Sequence, residues 1–167
     1  MLENATGRTL ITEEPRETPW LSVVFGYGPM LPFVAGAAGA WWQRGALDFL
    51  ITLVTILYGA AILLFLSGVR RGVSFRTEGG PTVAQIATML GLFCLGFGAL
   101  LTGVIQGKQD IALDMLIAGF VAIAILDPIA ARRGEAPLFF ARLRPLQIPI
   151  AILSLVALLV LKLMSPY

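Results

Sequence analysis

From residue 20 onward the chain alternates long apolar stretches with short polar breaks. The first stretch runs from about Trp20 to Trp42 and closes in a tight turn at Gln43, Arg44 and Gly45. The second covers about Leu47 to Val69 and stops at Arg70 and Arg71. A polar gap through Phe75, Arg76, Glu78, Gly79 and Gly80 leads to Pro81, well placed to open a third stretch that reaches about Ile105. Gln106 to Asp110 form the next turn, the fourth stretch takes about Ile111 to Ala130, and the last about Leu146 to Met164. A helix needs about 20 apolar residues to cross a hydrocarbon core of about 30 Å. The pattern therefore predicts an all-α membrane protein, a bundle of five transmembrane helices over about 20–42, 47–69, 82–105, 111–130 and 146–164. Residues 1–19 form a polar tail before it, and residues 165–167 a short tail after it.

Three stretches carry irregularities. Pro29 and Pro32 in the first should kink or locally unwind it, among Gly26, Gly28, Gly36 and Gly39. Trp20, Trp41 and Trp42 mark its ends as interfacial belts do. The fourth has only a dozen apolar residues between Asp114 and Asp127. Either one carboxylate lies inside the membrane edge or this helix is tucked against its neighbours. Before the fifth, Phe139 and Phe140 beside Arg142 and Arg144 read as a short amphipathic stretch in the interface.

Composition agrees with the pattern. Of 167 residues, 57% are hydrophobic and 13% charged, against roughly 25% charged in a soluble domain, so there is too little polar surface to face water all round. The basic residues give the direction. Arg8, Arg16, Arg70, Arg71, Arg76, Arg132, Arg133, Arg142 and Arg144 fall on one side, and Arg44, Lys108 and Lys162 on the other. Positive charge collects inside, which puts the N-terminus in the cytoplasm and the C-terminus in the periplasm of a bacterial inner membrane. Residues 1–19 contain Glu3, Glu13, Glu14 and Glu17 and lack a signal peptide's apolar core. The net charge of +2, with no basic patch interleaved with aromatics, excludes nucleic acid as a partner.

The same inventory empties the list of chemistries. Histidine is absent, and with it the commonest metal ligand and the physiological-pH proton shuttle. The single cysteine, Cys94, reads as a buried packing residue. No nucleotide-binding, hydrolase or metalloprotease motif is present, so neither an enzyme nor a cofactor is expected. Asp48 and Asp114 read as charges near helix starts, where the dipole favours them. Arg70 and Arg71 read first as a stop-transfer signal. A second reading folds Arg70 back to pair with Asp127, because an ionisable group at that depth is expensive alone. Tyr58, Ser67, Gln85 and Thr102 could at most line a narrow polar seam. Small residues point to packing, since helices in lipid associate through close backbone approach. Gly91, Gly96, Gly98, Gly103 and Gly119 are the expected contact points, and Gly68 and Gly72 are four apart at the end of the second span.

The run YGAAILLFLSGVRRGVSF, Tyr58 to Phe75, resembles the signature of a bacterial and mitochondrial membrane-protein family of unknown function that includes the eukaryotic transmembrane protein 69. Tyr58, Gly59, Phe65, Leu66, Gly68, Val69, Arg70 and Gly72 match that signature, while Ser67 replaces a usual Gly and Arg71 a usual Trp. MLPFVAGA (Met30 to Ala37) and RLRPLQIPIAILSL (Arg142 to Leu155) are weaker echoes. The resemblance implies a five-helix inner-membrane protein and supplies no activity.

Small size, short loops, Gly-rich faces and missing catalytic groups suit an accessory or assembly subunit of a larger membrane complex, of respiratory or photosynthetic type. The expected partners are membrane lipids and other membrane-protein subunits, with a lipid or quinone in a Gly-lined groove as the remaining ligand class. The alternative is a transporter or channel for a small solute or lipid, which needs a polar path that the spans barely offer.

Overall fold

Proline shapes the first span. In the computed structural model, which describes residues 2–3, 9–10, 20–43, 45–75, 80–132 and 140–164, helix α1 (Trp20–Tyr27) passes through a 3-10 turn at Gly28–Met30 into α2 (Leu31–Trp42). Pro29 and Pro32 have no N–H to donate, so the α-helical ladder is broken at this point. Beside the break, Tyr58 Oη on the second span donates to the Pro29 carbonyl at 2.9 Å. Removing that hydroxyl with Tyr58→Phe should cost only about 0.6–1.5 kcal/mol, the range of a net hydrogen bond inside a membrane bundle. Denaturant titration in detergent should show a small shift of the midpoint with the helical signal intact.

Helix α3 (Ala46–Ser74) starts after Gly45, whose φ of 109° lies in the region that favours glycine. Helix α4 (Val83–Leu100) begins with a capping box: Thr82 Oγ1 accepts from Gln85 N–H at 3.2 Å and Gln85 Oε1 from Thr82 N–H at 3.1 Å. Pro81 thus stands just before the cap instead of opening the helix, because the Thr82 side chain is what satisfies the first orphan N–H. Leu101–Ile105 widen into a π turn before α5 (Gln109–Arg132) and α6 (Phe140–Met164). Near the N-terminus, Leu2–Glu3 and Thr9–Leu10 pair as a two-residue antiparallel ladder.

Five helical segments are long and apolar enough to cross a membrane: Trp20–Trp42, Leu47–Ser74, Val83–Ile105, Gln109–Arg132 and Arg142–Met164. They close into a ring in which α2 packs on α3, α3 on α4, α4 on α5, α5 on α6, and α6 back on α2. Phe33, Ile56, Leu63, Leu116, Phe120 and Leu155 are fully buried at its centre. Phe33 meets Tyr58 and Phe120 edge-on, each with ring centroids 5.3 Å apart, the orientation that aromatic quadrupoles favour.

Close approach comes from glycine at four of the five expected points. A Cβ would stand 3.3 Å from the Ala60 carbonyl at Gly96, 3.1 Å from Met115 at Gly98 and 3.0 Å from Ile56 at Gly103, and at Gly119 it would collide with Leu63. Gly91 is the correction: it is exposed and faces open space. Cys94 likewise lies on the outside, not in the core. Both sit on the outer face of α4 beside exposed Leu90, Phe93 and Phe97. Lipid is as apolar as a protein interior, so hydrophobicity does not separate inward from outward positions. Most of the polar tail over residues 1–19, Arg44, the gap residues 76–79, Phe139 and the tail 165–167 lie outside the described residues.

Candidate functional site

The end of α3, the end of α5 and the start of α6 come together at the end of the bundle where α1 begins, and each delivers one charged side chain. Asp127 is 5% exposed. Its Oδ1 accepts from Arg70 Nε at 3.0 Å and Nη2 at 2.7 Å. Its Oδ2 lies 3.1 Å from Arg144 Nε. Arg70 Nη1 also donates to Thr88 Oγ1 at 3.0 Å, on α4. The carboxylate thus ties α5 to α3 and α6, and Arg70 extends the tie to α4.

Depth explains why the ties form. A charge several residues inside an apolar span is costly unless it is paired and hydrogen-bonded. Asp127 resolves the shortage of apolar length in the fourth span, since it is buried and paired rather than set at the surface, while Asp114 stays exposed. Arg70 meets Asp127, as the second reading of the sequence has it. Arg144 overturns an expectation: it is 8% exposed and belongs to this cluster, not to an interfacial stretch. The physical reason is that α6 starts at Phe140, so the buried stripe of Leu158, Leu155, Ala151 and Ile148 continues back through Gln147 to Arg144. That helical spacing is present in the sequence and would have found it.

The opposite end has its own, smaller polar group. Lys162 Nζ meets Asp48 Oδ1 at 2.8 Å, and Gln109 Nε2 donates to the Phe49 carbonyl at 3.0 Å. Asp48 also accepts, at 3.4 Å, from the N–H of Gly45 at the head of α3. Between the two ends lies the apolar centre, and no polar seam crosses it among the described residues. Ser67 Oγ donates to the Leu64 carbonyl at 2.8 Å and Thr102 Oγ1 to the Gly98 carbonyl at 2.9 Å, each within its own helical segment. Gln85 serves the cap of α4, and Tyr58 the break in the first span.

The signature residues divide into two groups. Tyr58, Gly59 and Arg70 face the bundle, and a Cβ at Gly59 would lie 3.0 Å from Leu116 and 3.1 Å from Phe33. Gly68 and Gly72 face out, with nothing within 4 Å of where a Cβ would stand.

Five helices long and apolar enough to cross a membrane, held by an internal ion-pair tie, point to a multi-pass helical membrane protein. Residues 18–160 match the family described as Protein of unknown function (DUF3429), and the chain belongs to that family. No curated protein and no solved structure matches it.

Proposed function

We propose that this is a non-catalytic protein of the bacterial inner membrane, N-terminus in the cytoplasm and C-terminus in the periplasm, serving as an accessory or assembly subunit of a larger membrane complex. One observation carries the reading. Gly68 and Gly72, four apart on the outer face of α3, have open space before them, whereas Gly96, Gly98, Gly103 and Gly119 each meet a neighbouring helix. Exposed Phe65 on the same helix and Phe75 just past its end flank them. Small residues spaced in this way let a second helix approach closely. The orientation rests on the excess of arginine at the end that holds Arg70 and Arg144. The largely apolar centre between the two polar ends weighs against a transporter or channel.

Purification in a gentle detergent should bring down stoichiometric membrane-protein partners. Gly68→Leu with Gly72→Leu should release them while the bundle becomes no less stable than the parent, since replacing an exposed helical glycine gains about 0.5–1 kcal/mol. Recovery of the parent protein as a clean monomer under those conditions would refute the proposal.

A further inference from the structure

The outer face of α3 carries one charge that the bundle itself does not use. Val54, Leu57, Phe65, Gly68 and Gly72 are exposed along the helix, and Phe75 just past its end. Their spacing in threes, fours and eights lines them up as one stripe. Arg71 borders that stripe beside the two glycines, and its guanidinium carbon lies 4.2 Å from the centroid of the Phe75 ring. Phe75 is 64% exposed, so the charge is held toward the outside of the bundle. The other contact of Arg71 is a long one, from Nη1 to Ser74 Oγ at 3.5 Å. No carboxylate meets Arg71 among the described residues, and Asp127 at the same end is already met by Arg70 and Arg144.

Two arguments say what fits this face. The first is desolvation. Arg71 lies three residues from the end of the apolar segment Leu47–Ser74, so with the face open its long side chain can reach headgroups and water. A helix seated on Gly68 and Gly72 would cover that side of α3 and close the route. A cation covered in this way is costly without a countercharge, so the helix that covers it must bring a carboxylate to the same level. The second is symmetry, and it excludes a second copy of this chain. Copies inserted in one direction pair about a twofold axis along the membrane normal, so each presents the same patch to the other. Helix α3 would then face itself at equal depth and set one Arg71 against another, and like charges so placed repel.

We propose that the outer face of α3 receives a transmembrane helix of a different protein, which carries an Asp or Glu at its membrane edge to pair with Arg71. The inference rests on the subunit reading above and names the chemistry of the partner. The test uses the full chain in native membranes, with the photo-cross-linking residue benzoylphenylalanine in place of exposed Phe65. One partner helix should be captured, with a carboxylate within about one turn of the level of Arg71. Arg71→Glu should lower that adduct at least about 30-fold, the loss expected when one member of a desolvated interfacial ion pair is removed. Arg71→Gln should lower it less, and neither should move the unfolding midpoint of the isolated bundle. Changing the mapped carboxylate of the partner to lysine should restore the adduct in the Arg71→Glu background, which a merely misfolded variant would not allow. An adduct untouched by Arg71→Glu, or a reversed pair that fails to restore it, overturns the acidic partner and leaves the subunit reading standing. Adducts between two copies of this chain, or with lipid alone, overturn the assignment of the face. Absence of any protein adduct, together with a parent that purifies as a clean monomer, sinks the subunit reading and this inference with it.

Discussion

Asp127→Ala should destabilise the bundle by about 3–5 kcal/mol, the cost of removing one partner from a buried ion pair. The carboxylate is 5% exposed and meets both Arg70 and Arg144, so a single truncation takes the Asp127 countercharge from two guanidiniums. Arg70 keeps its bond to Thr88, at 3.0 Å, but that hydroxyl brings no countercharge. Asp127→Asn keeps an acceptor at the position and should fall between the parent and the alanine variant. The informative companion is Arg70→Met, Asp127→Leu and Arg144→Met together. Apolar replacements of similar volume for a whole buried ion cluster are commonly neutral or stabilising, so the triple variant should recover most of the loss. Unfolding midpoints in a denaturing detergent read all three. A triple variant as unstable as Asp127→Ala would mean that the helices depend on the charges themselves, beyond the need to avoid stranding one.

The contrast shows what was legible in the chain. The five spans were, because length and hydropathy suffice to set a helix across a bilayer. The pair Arg70 and Asp127 was, because two opposite charges at one depth and on one side have a reason to meet. Arg144 was concealed by its neighbours: beside Phe140, Arg142 and Pro145 it reads as headgroup chemistry, and only the true start of α6 turns it inward. Gly91 and Cys94 fail for a different cause. In water, an apolar outer face would be improbable and periodicity would separate it from the core. In lipid both faces are apolar, so a glycine on α4 gives no sign of which way it points. Gly26 and Gly36 show the converse. Beside the prolines they carry no expected packing role, yet a Cβ at either would overlap a neighbouring helix, at Gln147 or at Thr55.

Gly36 therefore supports the second large effect. In an open position, glycine to alanine in a helix interior gains about 0.5–1 kcal/mol, and Gly91→Ala should show that gain because nothing lies within 4 Å. Gly36→Ala should reverse the sign. Its Cβ would overlap Thr55 Oγ1 and lie 3.0 Å from Cγ2 and 3.1 Å from Cβ of the same residue. Thr55 has little freedom to yield: it is 4% exposed, its branching at Cβ restricts χ1, and its Oγ1 donates to the Ile51 carbonyl at 2.8 Å. Overpacking of that kind costs about 1–3 kcal/mol, which outweighs the helix gain and moves α2 away from α3. Thr55→Ala removes the two outer atoms in the way, so in the background of Gly36→Ala it should restore stability. The coupling between the two changes should be at least about 0.5 kcal/mol and favourable, as for residues in direct contact. Additive behaviour in that cycle, or equal stability of Gly36→Ala and Gly91→Ala, would show that α2 and α3 do not meet through Gly36.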